Sequence, residues 1–208
     1  MGLFKKKDPL PLFISGDINE YKFNKALDKL KPEDITDFNL EKWRDFILEK
    51  NLICAGHFPI LDYLTKMISL IKRDDILVDI AVKGYGDDII STEAVRYISK
   101  QDSLQKVLEA FNCESPFHSC SDYCGHFKYN AFSWGPPQFR GGRLMYVLLK
   151  RIDVEHFNAA LENCNGEMKW LDDIRSGKLK YWTFYEGKKY GYKFDDIYTL
   201  ARERGFLE

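Results

Sequence analysis

Five residues able to hold a soft or borderline metal fall in one short stretch: Cys113, His118, Cys120, Cys124 and His126, spaced C-x4-H-x-C-x3-C-x-H. The stretch holds three of the chain's five cysteines and two of its four histidines. Zinc takes four thiolate or imidazole ligands at tetrahedral corners, and any four of these residues could supply them. The metal's binding free energy would then order a loop that has no apolar core of its own. Structural zinc sites usually present two close cysteine pairs, whereas only Cys120 and Cys124 are close here. The competing reading makes the cysteines small buried hydrophobes and the histidines ordinary loop residues. The same cluster has an enzymatic version, a thiolate–imidazolium pair of Cys124 with His126. Residues two apart on a loop seldom face each other, and working pairs come from distant positions. No complete catalytic signature stands anywhere in the chain, so the expectation is a protein without catalysis.

A second constellation lies near the C-terminus. Between Lys178 and Lys193 five lysines face one acid, Glu186, and alternate with Tyr181, Trp182, Phe184, Tyr185, Tyr190 and Tyr192. Basic side chains track phosphates while aromatic faces stack on bases, so Lys180, Trp182, Lys188, Lys189 and Tyr192 could form a platform for single-stranded nucleic acid. The alternation equally describes a strand pair with one packed aromatic face and lysines guarding its edges. Total charge favours that second account, because 31 basic residues nearly cancel 32 acidic ones and no broad field remains to draw a nucleic acid or a membrane. Three lesser motifs read as local structure: "RGGR" (140–143) as a turn lacking a phosphate-loop lysine, "GYGDD" (84–88) as a helix stop and next cap, and "KKK" (5–7) as a solvated start.

The elements that must carry these residues follow from composition and period. A hydrophobic share of 45% with 15% aromatics belongs to an ordered globular chain long enough to bury a core without covalent staples. No apolar run nears the roughly 20 residues of a membrane span. The N-terminal stretch breaks at proline before a signal-peptide core could form, and Lys6 stands where myristoylation wants Ser or Thr. A cytoplasmic location with reduced thiols is expected. Through residue 111 the apolar residues recur with helical period in six short segments. Their expected inward positions include Phe23 and Leu27, Trp43 and Ile47, Leu64 and Ile68, Leu77 and Ile80, Val95 and Ile98, then Leu104 and Leu108. The expected starts are Asp17 paired with Glu20, Asn39, Pro59, Asp74 or Asp75, Ser91 or Thr92, and Asp102 paired with Gln105. Residues 112 to 142 lose periodicity to glycines and prolines yet are rich in aromatics. Beyond them "RLMYVLLK" (143–150) reads as strand or buried helix. Asp153 should cap a helix bearing Val154, Phe157 and Leu161 that stops near Gly166. Residues 179 to 194 alternate like a β-hairpin turning near Glu186 and Gly187, and a last helix after Asp195 or Asp196 should end at Gly205.

Two segments align without gaps. "MISLIKRDDILVDIA" (67–81) and "AVRYISKQDSLQKVL" (94–108) match at an offset of 27, pairing Ile68 with Val95, Ile71 with Ile98, Asp75 with Asp102, Leu77 with Leu104 and Ile80 with Val107. Each reads helix, tight break, capping aspartate, helix, the unit of an α-solenoid. "EAVRYISKQDSLQKV" (93–107) resembles the short HEAT-like repeats of bacterial proteins, with an Ala-Val-rich helix, a Gln-Asp turn and a Leu-containing helix, over about residues 67 to 111. The resemblance implies a scaffold that binds a partner protein. The expected fold class is therefore mainly α: an N-terminal helical-hairpin, α-solenoid-like array (1–111), an aromatic Cys/His loop (112–142), and a small α+β C-terminal portion with a β-hairpin (143–208). The expected function is a protein-binding or adaptor module, with a zinc-binding or cysteine-dependent enzyme and a nucleic-acid binder as its two rivals.

Overall fold

The computed structural model describes residues 8–35, 37–51, 58–84, 88–113, 142–166, 171, 174–175, 181–183, 193–195 and 197–207. These are mainly helical. The chain divides into two compact units, Met1–Ile98 and Ser99–Glu208, a boundary earlier than the change of composition near residue 111.

The first unit contains α1 (Leu10–Ile14), α2 (Glu20–Leu27), a 3-10 turn (Pro32–Asp34), α3 (Asp37–Asn51), α4 (Phe58–Leu70), α5 (Asp74–Lys83) and α6 (Asp88–Tyr97). Helices of eight to fifteen residues do not hold in water alone, so each must bury an apolar stripe on a neighbour. The anticipated stripes are the buried ones: Phe23 and Leu27, Trp43 and Ile47, Leu64 and Ile68, Leu77 and Ile80, and Val95 with Ile98 are all at most 2% exposed. Helices two apart in sequence pack together, α2 on α4, α3 on α5 and α4 on α6. They run parallel where side chains report direction. Phe23 meets Tyr63 at 5.5 Å between ring centres and, further along both helices, Asp28 meets Lys66 at 3.0 Å. Arg73 lies 3.9 Å from Asp37, and Arg44 reaches Asp79 at 3.2 Å. The most extensive pair, α5 with α6, doubles back on itself. There the Ser91 hydroxyl, at the start of α6, donates 2.8 Å to the Gly84 carbonyl closing α5.

Several boundaries differ from the pattern reading. Asn19, not Asp17, caps α2, its side chain accepting from the Lys22 N–H at 3.0 Å, while Asp17 takes the Ser15 hydroxyl at 2.6 Å. Asn39, Ser91 and Thr92 all lie inside the first turns of helices that start two to four residues earlier. Helix α1 was not anticipated, because its single turn is too short to show a period. Its Phe13 stacks on Phe23 at 4.3 Å and meets Tyr63 edge-on at 5.5 Å.

The offset of 27 persists in the coordinates. Helices α4 and α6 end at Leu70 and Tyr97, and α5 and the following α7 (Gln101–Cys113) begin at Asp74 and Gln101. In the breaks Ile71 and Ile98 are fully buried. The first turns close alike, Leu77 N–H on Arg73 C=O and Leu104 N–H on Lys100 C=O. The second copy is cut by the unit boundary, with α6 in the first unit and α7 in the second.

The second unit holds α7, α8 (Gly142–Arg151), α9 (Val154–Asn163), strands β1 (Tyr181–Thr183) and β2 (Lys193–Asp195), and α10 (Ile197–Glu203). "RLMYVLLK" is helix, since Leu144, Met145, Leu148 and Leu149 are buried at helical spacing. Helix α7 packs on α9 and α8, and α8 also on α10 and β1. Asp153 caps α9 as expected, accepting from the His156 N–H at 2.9 Å. The buried face of α9 is Phe157, Ala160 and Cys164, whereas Val154 is 45% exposed. The cap turns the first helical position outward, so the stripe begins a turn later. The strands pair antiparallel with Trp182 opposite Phe194; residues 184–192 lie outside the described set. Gly205, at φ +75°, lets the Phe206 N–H reach back to Ala201 C=O at 2.8 Å, a reversal that side chains with a Cβ resist. Phe206 then stacks on Phe157 at 4.2 Å.

The fully buried Trp43 donates its indole N–H to both Asp8 carboxylate oxygens at 3.1 Å, and Asp8 also caps the Leu10 N–H at 2.9 Å. Trp43→Phe removes that donor from a partly buried carboxylate and should cost about 1–3 kcal/mol, read as a lowered urea midpoint with an unchanged slope.

Candidate functional site

Of the anticipated metal ligands, Cys113 is the last residue of α7; His118, Cys120, Cys124 and His126 lie outside the described residues. Of the nucleic-acid platform, Trp182 sits in β1 opposite Phe194; Lys180, Lys188, Lys189 and Tyr192 lie outside. Among the described residues no group of three or more His, Cys, Asp or Glu side chains is arranged to hold a metal ion, and no helix is long and apolar enough to cross a membrane.

Titratable chemistry within the described residues converges instead at the turn between α8 and α9. His156, in the first turn of α9, places Nδ1 at 2.8 Å from Asp153 Oδ1 and Nε2 at 3.0 Å from Asp102 Oδ1. Asp102 belongs to the first turn of α7, so the ring bridges two helix starts. Carboxylates are favoured there by the helix dipoles. The Asp153 hydrogen bond first, then the contact with Asp102, raises the imidazole's pKa above its ordinary 6.5. In turn the His156 backbone N–H, followed by its ring, holds the Asp153 carboxyl below its ordinary range.

Gln101 completes the junction. Its side-chain amide donates to the Arg151 carbonyl at 3.1 Å and its oxygen accepts the Asp153 N–H at 3.0 Å. From beyond α10, Arg204 Nη2 donates to the Ile152 carbonyl at 2.6 Å. A second tie lies seven residues along both helices, where Asn163 Nδ2 donates to Glu109 at 2.6 Å. Helices α7 and α9 therefore run parallel and in step. Both ring nitrogens are occupied by carboxylates, an arrangement suited to fastening the two helix starts together.

The helix-start pattern makes both Asp153 and Asp102 caps and gives His156 no role; Asp153 does cap α9, whereas Asp102 lies inside α7, which begins at Gln101. The local signal for His156 is the spacing Asp-x-x-His at a helix start, which places an imidazole where a capping box puts Glu or Gln. Nothing local identifies Asp102, 54 positions away, as its second partner. Searches with protein-family models, among curated proteins and among solved structures return no match for this chain.

Gln101→Ala would leave the Arg151 carbonyl and the Asp153 N–H without their side-chain partner. The expected loss is about 1–3 kcal/mol, seen as a lower thermal midpoint for the full chain, while Gln101→Glu should restore only the acceptor half.

Proposed function

We propose that the chain is a non-catalytic protein-binding module whose first unit is a short helical-repeat array of the HEAT-like kind. The observation that carries this reading is the apolar end of that unit. Repeat arrays close their ends with polar faces, yet α1 and α2 expose Leu12 (46%), Ile14 (65%) and Tyr21 (65%). Lys25 lies over the Tyr21 ring at 4.5 Å, a cation–π contact that holds the ring on the outer face. The parallel stacking of helices two apart supports the array, as does the equivalence of the two segments at offset 27. On this reading β1 and β2 are the ends of one β-hairpin, and the protein works in the cytoplasm with its thiols reduced.

The test is cross-linking of the full chain in lysate, comparing it with the double variant Leu12→Glu, Ile14→Glu. Both positions are exposed, so the thermal midpoint should move by no more than about 2 °C. Partner cross-links should map to α1 and α2 and vanish in the variant; cross-links retained at full yield would sink this docking face. Two further measurements separate the rivals. Near-stoichiometric zinc in protein purified without added metal would replace the reading with a zinc-bound Cys113–His126 loop. Salt-sensitive binding of single strands would move it to Lys180, Trp182, Lys188, Lys189 and Tyr192.

A further inference from the structure

We propose that His156 is a proton-operated clamp that fastens the start of α7 to the start of α9 and releases Asp102 as pH rises, leaving Gln101 as the remaining tie at that corner. Both ring nitrogens face carboxylate oxygens, at 2.8 and 3.0 Å. A neutral imidazole has one N–H and one lone pair, so it can satisfy only one of them; the other nitrogen would point a lone pair at an acceptor. The imidazolium, with two N–H groups, satisfies both. When the proton leaves for water, the electron pair stays on one nitrogen and one bond is lost. Asp153 is the partner kept, because its Oδ1 also holds the His156 backbone N–H within the same turn. The bond released is therefore the one to Asp102, the one that crosses between helices. Solvent reaches the site, since the Asp102 side chain is 79% exposed.

The charged groups on the elements packed here are Lys100 before α7 with Asp102, Lys106 and Glu109 on it, Asp153, Glu155 and Glu162 with α9, Arg143, Lys150 and Arg151 from α8, and Arg202, Glu203 and Arg204 at the end of α10. Asp153 and Asp102 are the two that act on the ring. The raised imidazole contributes fully below its ordinary 6.5 and loses that contribution as pH climbs through its higher folded value. Asp153, held low, contributes fully above 3.8 and loses its contribution as pH falls below. The clamp is thus fully closed between these limits and opens on the alkaline side.

The chain carries its own control. At offset 27 Asp102 corresponds to Asp75, whose carboxylate is held by Arg73 through Nε at 3.0 Å and through Nη2. A guanidinium keeps its charge at every working pH, so this pair within the start of α5 does not respond over the pH range in which His156 loses its proton.

Amide hydrogen exchange on the full chain, at about pH 5.5 and about pH 8.5 and corrected for intrinsic rates, tests the clamp. Protection in the first turns of α7 should fall several-fold at the higher pH, with α5 unchanged, and His156→Gln should abolish the difference. An α7 that responds identically in that variant, or not at all in the parent, overturns the proposal. Should the variant fail to fold, titration of the His156 ring proton by NMR decides instead. A midpoint above 6.5 that drops in Asp102→Asn supports the clamp, and a midpoint at or below 6.5 removes it.

Discussion

The second unit depends on three backbone groups at one turn. Where α8 ends and α9 begins, the Arg151 and Ile152 carbonyls and the Asp153 N–H take side-chain partners from elsewhere in the unit, and Ile152 is fully buried. Groups of this kind cost free energy comparable to a lost hydrogen bond unless something reaches them. Gln101 and Arg204 are what reach them. Their positions, one opening α7 and one following α10, explain why α7 must lie beside α9 and why the chain after α10 must return to this corner. Parallel alignment of α7 with α9 then follows, since fixing one end by Gln101 and His156 leaves the apolar stripes to set the rest. Phe206, carried back by Gly205 onto Phe157, closes the same corner from the apolar side.

The first unit solves its assembly differently. Its short helices are tied by buried stripes and by ion pairs between helices two apart, Arg44 with Asp79 and Lys66 with Asp28. Such pairs are partly solvated and worth well under about 1 kcal/mol each, so they select which helices run side by side more than they hold them there. The holding force is apolar burial, with Phe13, Phe23, Phe46 and Tyr63 gathered into one aromatic cluster joining α1, α2, α3 and α4.

Inward faces were legible because they obey a period. Trp43, Ile68, Leu77 and Val107 sit where helical spacing places them. Starts and stops were less so: Asn19 outcompeted Asp17 for α2 because the cap that wins is the one adjoining the first turn, and Asp17 was drawn off by Ser15. Val154 was misplaced for a related reason, the cap geometry deciding which way the first residue faces. The fastening at His156 was legible only by half. Its Asp153 partner lies three residues away, within reach of local pattern, whereas Asp102 arrives through the packing of α7 on α9, which no local pattern contains. The Cys/His cluster that dominates the sequence lies, apart from Cys113, outside the described residues, so its chemistry rests on residue types and spacing alone.

The two segments that align at offset 27 share some residues and differ in others. At offset 27 the buried set is apolar in both copies, Ile68 with Val95, Ile71 with Ile98, Leu77 with Leu104 and Ile80 with Val107, because each must fill an interior already at close packing. The aspartate at the second helix start is kept as well, favoured by the dipole at either place. The residue two places before it stays basic, Arg73 in one segment and Lys100 in the other. A nearby arginine serves Asp75, and a histidine from another helix serves Asp102. The interior constrains residue type by volume, while an exposed carboxylate constrains only the sign of what faces it, and both an arginine and a protonated histidine meet that condition. Arg73 keeps its charge at every working pH, whereas His156 is a cation only when protonated.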